Sequence, residues 1–160
     1  MPQPTRRAVL GLVFLPLAAC GGGREGAQVA TMSADAPLNP GETPAMRRLV
    51  NEWADRHGVP RALFHRVIQR ESDYRADALN PAGPYYGLMQ ILPATARSMG
   101  HTGPARALLE PEVNLKYAGR YLRGAWLVSG GDIDDAVMWY ARGYYYEAKR
   151  LGLLEETGLG

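Results

Sequence analysis

The sequence has few of the residues that metal, redox or nucleic-acid chemistry requires. Cysteine occurs once, so the chain forms no internal disulfide, and its three histidines have no spacing that suggests a metal site. Basic residues number 18 against 16 acidic ones, and Arg6 and Arg7 belong to a segment that we interpret below as cleaved. The remaining chain is nearly neutral, so we expect no nucleic-acid partner. Because cysteine and suitably spaced histidines are lacking, we also expect no metal and no cofactor.

The amino-terminal segment is typical of an export signal. An apolar run from Ala8 to Ala19 follows Arg6-Arg7 and is too short to cross a bilayer as a mature helix. The run ends in Leu17-Ala18-Ala19-Cys20, which resembles the lipobox of bacterial lipoproteins. We therefore predict a signal peptide over residues 1–19 and lipidation of Cys20. The Sec and twin-arginine export routes both stay open.

The resemblance to a lipobox implies a periplasmic protein held to a membrane by lipid. Gly21 rather than Asp follows Cys20, and this favours the outer membrane. Residues 20–42 are rich in Gly, Ala, Ser, Asp and Pro and lack apolar periodicity, which predicts a flexible tether. A single domain is then expected over residues 43–155.

Helical periodicity dominates that domain. Thr43-Pro44 predicts a helix start, and Gly58 its end. Further helices are predicted from Pro60, over residues 93–99, over residues 111–128, and from Asp132 through Tyr144. Alternation typical of strands does not persist, so we predict a mainly α fold with little β structure, confined to residues 72–92.

One acidic residue falls on an apolar helix face. The stripe Leu63, Phe64, Val67 and Ile68 continues at helical spacing to Glu71. Burial and the carboxyl end of the helix dipole should both raise the pKa of this carboxyl group, as a general acid requires. A carboxylate at a frayed helix end, facing water, is the alternative. Asn114 is expected to fix helix packing or a loop by hydrogen bonding.

Four sequence blocks, in this order, resemble the soluble lytic transglycosylase (SLT) domain, which has a lysozyme-like fold. Their order and spacing make the resemblance specific, and the second block is the most distinctive. The blocks are Glu71-Ser72; Asn80-Pro81-Ala82-Gly83 with Gly87-Leu88-Met89-Gln90-Ile91 and Pro93-Ala94-Thr95-Ala96; Pro111 to Leu115 with Tyr121-Leu122; and Ala136 to Gly143.

The resemblance implies a compact helical domain with a catalytic cleft that cuts peptidoglycan. The bond would be the β-1,4 link between N-acetylmuramic acid and N-acetylglucosamine, and the product a 1,6-anhydro end. Glu71 matches the family's catalytic glutamate, and Ser72, Met89 and Gln90 match cleft positions. We add that Tyr140 is placed to hydrogen-bond Glu71, and that Tyr85 and Tyr86 offer rings for stacking on sugars.

Two departures from the family pattern stand out. Pro84-Tyr85-Tyr86 makes one link longer and more aromatic, and Ala141-Arg142 replaces the usual Asn-Ala. A muramidase, with Asp73 or Asp77 placing a water molecule, stays open. So do a non-catalytic glycan-binding lipoprotein and an enzyme that opens the wall for a secretion or cell-wall assembly partner.

Overall fold

The computed structural model describes residues 36–81 and 83–160. The predicted signal peptide, Cys20 and most of the predicted tether lie outside these residues. Within them the chain is mainly helical, which confirms the predicted fold class. Each described helix is too short or too polar to span a bilayer. The helices are α1 (Pro44–His57), α2 (Arg61–Ser72), α3 (Pro93–Ser98), α4 (Pro111–Val128), α5 (Ile133–Arg142), α6 (Tyr145–Leu151) and α7 (Leu154–Thr157), with a 3-10 helix at Ala105–Leu109.

The first helix begins and ends as the sequence predicts. The hydroxyl oxygen of Thr43 accepts a hydrogen bond from the main-chain N–H of Met46 at 3.1 Å, and Pro44 occupies the first turn. Gly58 ends α1 in the left-handed conformation, with φ of 63°, and its N–H bonds back to the last turn. Pro60 then precedes α2, which places Glu71 one residue before the end of that helix.

The core forms around α4, which packs against α1, α5 and α7. It also contacts α3, α6 and the 3-10 helix. Its inward face presents Leu115, Ala118, Leu122 and Ala125, all fully buried, so the predicted apolar stripe is confirmed. The apolar stripe of α2 is buried in the same core. Because α2 and α5 also contact each other, the end of α2 is held next to α5.

The last predicted helix is interrupted. We expected it to run from Asp132 through Tyr144, but α5 ends at Arg142. Gly143 has φ of 83° and ψ of 146°, a conformation that residues with a Cβ rarely adopt, so the chain changes direction there. Tyr144 therefore lies between α5 and α6. It is buried nevertheless, and its hydroxyl donates to the main-chain oxygen of Tyr121 at 2.8 Å.

The small amount of β structure lies where it was predicted. Tyr86 forms isolated antiparallel bridges with Leu79 and with Ile91. The N–H of Tyr86 donates to the oxygen of Ile91 at 3.1 Å, and the reverse bond measures 3.2 Å. These bridges fold the loop between α2 and α3 into a wall beside the end of α2.

Residues 36–42 are packed against the domain, although they fall inside the segment that we predicted to be a tether. Glu42 is buried and forms an ion pair with Arg47 of α1, with 2.6 Å between Nη2 and Oε2. Arg47 also donates to the main-chain oxygens of Ala36 and Pro37. A buried arginine requires such partners. The composition of residues 20–42 predicts a flexible segment and gives no sign that Glu42 is one of these partners.

Candidate active site

A cleft of about 560 Å³ opens between the end of α2, the loop wall and the end of α5. It is an open depression, so a polymer strand has access to it. All four sequence blocks that we singled out contribute to its lining. The first does so through Glu71, the second through Gln90 and Thr95, the third through Tyr121 and the fourth through Tyr140. The lining consists of Arg70, Glu71, Asn80, Tyr85, Gln90, Ile91, Leu92, Thr95, Tyr121, Tyr140, Ala141, Arg142 and Gly143.

Glu71 lies in this cleft with its side chain 23% exposed. Burial raises the pKa of its carboxyl group, and the positive charge of Arg70, whose Nε lies 3.8 Å from Oε1, opposes that rise only in part. The prediction from helical periodicity is thus supported, since the carboxyl group is neither at a frayed end nor freely hydrated. Its protonated form is favoured relative to an ordinary glutamate.

Tyr140 closes one side of the cleft, but it does not hold Glu71 as we expected. Its hydroxyl donates to the main-chain oxygen of Met89 at 2.8 Å. Burial raises the pKa of Tyr140, and the nearby charge of Glu71 raises it further, so the phenol remains protonated. The edge of its ring packs against Tyr121, with 5.5 Å between centroids. Tyr140 therefore braces the loop wall beside the end of α2.

Gln90 presents an amide group to the cleft from a left-handed backbone conformation, with φ of 48°. Its Nε2 donates to the main-chain oxygens of Ala78 at 3.1 Å and Gly87 at 2.9 Å. Both amide hydrogens are thus used inside the protein. Among residues 36–81 and 83–160 the amide oxygen accepts no hydrogen bond, so it can accept one from a hydroxyl or N–H group of a ligand.

Asn114 of α4 holds the loop wall in place through hydrogen bonds from its side chain. It is fully buried, and its Oδ1 accepts the N–H of Met89 at 2.9 Å. Its Nδ2 donates to the main-chain oxygens of Tyr86 and Leu108, both at 2.8 Å. The expectation that Asn114 fixes a loop by hydrogen bonding is confirmed.

Ser72 and Met89 lie behind the cleft surface. Ser72 is 2% exposed, and its hydroxyl donates to the main-chain oxygen of Leu88 at 2.7 Å. Met89 is fully buried in the core. Neither belongs to the lining, so the contacts with sugar groups that we expected of both residues are unavailable in this structure. Ser72 instead ties the end of α2 to the loop wall.

The two loop tyrosines have different surroundings. Tyr85 lines the cleft and is 37% exposed, so its ring is accessible to a ligand. Tyr86 is partly buried, packs against the core and does not line the cleft. The predicted stacking role therefore stays open for Tyr85 alone.

Arg142 is one of several lining residues that the prediction of site residues missed. The sequence signal was its place in the altered fourth block, where it replaces a small residue. Within residues 36–81 and 83–160, no hydrogen bond or ion pair involves its guanidinium group. Arg70 is the second arginine of the lining. The cleft thus carries two guanidinium groups and one carboxyl group.

Glu71 is the single acidic residue of the described lining. Asp73 and Asp77 are exposed and lie outside it, so neither faces Glu71 across the cleft. Among the described residues, no group of three or more His, Cys, Asp or Glu side chains is arranged to hold a metal ion. The chemistry that this cleft offers is proton transfer by one carboxyl group with a raised pKa.

The family comparison covers well over half of the chain. Residues 48–152 match the family model described as Transglycosylase SLT domain. The matched range contains α2, the loop wall, α4 and α5, and therefore the whole described lining of the cleft. No solved structure matches the chain. By the family match, this chain belongs to the transglycosylase SLT domain family.

Proposed function

We propose that this protein is a lytic transglycosylase that cleaves the β-1,4 bond between N-acetylmuramic acid and N-acetylglucosamine in peptidoglycan. The observation that carries the proposal is a lone, half-buried glutamate with a raised pKa in an open cleft. Family membership supports the same reaction. A second carboxylate, which most glycosidases need across the bond, is missing from the described lining.

Glu71 acts twice in the proposed mechanism. As a neutral acid it protonates the glycosidic oxygen, and the bond from that oxygen to C1 of the muramic acid breaks. The acetamide group of the sugar stabilises the cationic C1. The Glu71 carboxylate then takes the proton from the C6 hydroxyl as that oxygen bonds to C1. The glutamate ends protonated, no water is consumed, and the product carries a 1,6-anhydro ring.

The other lining groups have supporting roles in this proposal. Gln90 accepts a hydrogen bond from the sugar, and Tyr85 stacks on a sugar ring. Tyr140 fixes the loop wall through the main-chain oxygen of Met89. Arg142 and Arg70 favour a substrate that bears carboxylates. Peptidoglycan bears them on its peptide stems and on unsubstituted lactyl groups, whereas chitin does not.

The experiment is mass spectrometry of the fragments that the protein releases from purified peptidoglycan. Wild type is compared with Glu71→Gln and with Glu52→Gln, which changes an exposed glutamate of α1. We expect anhydro-ended fragments from wild type and Glu52→Gln, and none from Glu71→Gln with an unchanged circular dichroism spectrum. Reducing ends would indicate a muramidase. No release from any of the three would indicate a glycan-binding protein.

We further propose that the protein is a periplasmic lipoprotein, anchored through Cys20 and facing the wall from the outer membrane. The support is the lipobox-like sequence before the single cysteine. Metabolic labelling with a fatty acid should label wild type but not Cys20→Ala. Cell fractionation then assigns the membrane, and crosslinking at the wall would identify a secretion or assembly partner.

A further inference from the structure

Residues 36–42, which we call the strap, lie against the turn that follows α2. The side-chain amide of Asn39 donates to the hydroxyl oxygen of Tyr74 at 2.9 Å. Gly41 packs directly on the main-chain oxygen of Asp73, and any Cβ at position 41 would overlap that oxygen. The strap thus touches both residues of the turn that comes directly after Glu71-Ser72.

The strap is itself firmly held. Glu42 accepts two hydrogen bonds from Arg47, at 3.0 Å from Nε and 2.6 Å from Nη2. It also accepts the main-chain N–H of Asn39 at 2.8 Å and the Asn39 amide at 2.9 Å. Both charged side chains are 5% exposed or less. A fully paired buried group of this kind fixes one geometry, because any other arrangement leaves a charge without partners.

The turn beneath the strap has an unfavourable backbone. Asp73 has φ of 48° and Tyr74 has φ of 63°, so two consecutive residues with side chains lie in the left-handed region. Such residues persist where their surroundings enforce the conformation, and they concentrate at functional sites. Here the surroundings include the Asn39 bond to Tyr74 and the contact of Gly41 with Asp73.

Glu71 depends on this backbone for its position. Among residues 36–81 and 83–160, no hydrogen bond reaches its carboxyl group, and its nearest ion-pair partner is Arg70 at 3.8 Å. The orientation of the carboxyl group is therefore set by the last turn of α2. That turn is tied to the loop wall through Ser72 on one side and continues into Asp73 and Tyr74 on the other.

We propose that Gly41 and Asn39 are positioning residues, which hold the Asp73–Tyr74 turn and thereby fix how α2 presents Glu71 to the cleft. The proposal rests on the function proposed above for Glu71. Because proton transfer needs the acid within hydrogen-bonding reach of the glycosidic oxygen, a small displacement of Glu71 lowers the rate of reaction more than it lowers binding. In the proposed lipoprotein, the strap is also where the anchored segment meets the domain.

The chain offers a matched pair of glycines for the test. Gly41 and Gly58 both lie in the left-handed region, with φ of 76° and 63°, but a Cβ at Gly58 meets nothing within 4 Å. Alanine at either site must adopt a positive φ, but only Gly41→Ala pushes on Asp73. We expect Gly41→Ala to lower kcat on soluble glycan fragments by about 10-fold or more, with KM within about 2-fold of wild type. Gly58→Ala should keep the kcat of wild type.

A second variant keeps the test decisive if Gly41→Ala does not fold. Asn39→Ala removes the side-chain bonds to Tyr74 and to Glu42 without adding an atom, and we expect the same selective loss of kcat. Equal kcat values for the Gly41 and Gly58 variants, or a rise in KM alone in either strap variant, would overturn the proposal. Glu71→Gln is assayed beside them. If it stays active, the function proposed for Glu71 fails; if it is inactive and the strap variants are fully active, the strap proposal alone fails.

Discussion

The hydroxyl of Tyr140 donates its hydrogen bond to the main-chain oxygen of Met89, 2.8 Å away, behind the surface of the cleft. This bond connects α5 to the loop wall. Asn114 connects α4 to the same residue, because its side-chain oxygen accepts the main-chain N–H of Met89. The loop wall is therefore fixed by two helices at one residue. Both helices hold the wall through main-chain atoms of Met89.

Loss of the Tyr140 hydroxyl should destabilise the protein and loosen the wall. Tyr140→Phe keeps the ring but leaves the buried oxygen of Met89 without its donor, which costs about 1–3 kcal/mol of unfolding free energy. Urea unfolding measures this loss. Tyr145→Phe is the control, because Tyr145 is 46% exposed. Equal stability of the two variants would contradict the bracing role of Tyr140.

Glu71 should lower the stability of the folded protein at neutral pH. Burial raises the pKa of Glu71 in the folded protein above its value in the unfolded chain. At pH values between these two pKa values, the folded state therefore binds more protons than the unfolded state. The free energy of unfolding therefore falls as pH rises through that window. The neutral side chain in Glu71→Gln removes this effect.

We expect the melting temperature of Glu71→Gln to exceed that of wild type at pH values of about 7 and to converge with it below about pH 4, where the carboxyl group is protonated in both states. Thermal unfolding followed by circular dichroism across this range measures the difference. A difference that stays constant with pH would show that the pKa of Glu71 is not raised in the folded protein.

Replacing Glu42 should lower the free energy of unfolding much more than replacing Glu52. Glu42 and Arg47 are buried, whereas the side chains of Glu52 and Arg56 are 55% and 54% exposed. Glu42→Gln leaves the charge of Arg47 buried without its counter-ion, so we expect a loss of unfolding free energy several times that of Glu52→Gln. Urea unfolding of the two variants compares them directly. Equal losses would show that the strap contributes little to the fold.

The pH dependence of the Glu42 contribution has the opposite sign to that of Glu71. Burial alone would raise the pKa of Glu42, but hydrogen bonds from Arg47 and Asn39, together with the charges of His65 and Arg47, outweigh burial and lower it. A lowered pKa means that the stability is present at neutral pH and is lost as pH falls through the folded pKa. The gap between wild type and Glu42→Gln should therefore narrow in acid.

Local signals in the sequence predicted most helix boundaries. Thr43, Pro44 and Gly58 define α1, and Pro111 begins α4, because caps and proline act on the backbone within one turn. The break at Gly143 was missed because a single glycine inside an apolar helical stripe does not by itself predict the end of a helix. Helical periodicity placed Glu71 correctly because the apolar face of α2 is packed along its whole length.

The rest of the site depends on contacts between residues that are distant in sequence. Met89 and Ser72 match family cleft positions, yet only the fold shows that both are buried behind the lining. The partner of Tyr140 is 51 residues away, and the strap contacts Tyr74 across 35 residues. No periodicity encodes such pairs, since they form when helices pack.

Arg142 should select substrates that carry carboxylates. Its guanidinium group lies in the cleft lining, has no ion pair within the described chain, and replaces a small residue of the family pattern. A charge-assisted hydrogen bond to a substrate carboxylate is worth about 1.5–3 kcal/mol, so Arg142→Ala should raise KM for muropeptide fragments about 10-fold or more. The value of kcat should change by less than about 2-fold, because the contact is made in the ground state and in the transition state alike.

Two comparisons test whether a rise in KM in Arg142→Ala comes from the loss of charge recognition. Arg48→Ala removes an exposed arginine outside the cleft and should leave KM unchanged. Uncharged oligomers of N-acetylglucosamine should bind wild type and Arg142→Ala equally, since they offer no carboxylate. Fragments with peptide stems and fragments with free lactyl groups then show which carboxylate Arg142 binds. If the uncharged oligomers also bind Arg142→Ala more weakly, Arg142 shapes the cleft instead of recognising charge.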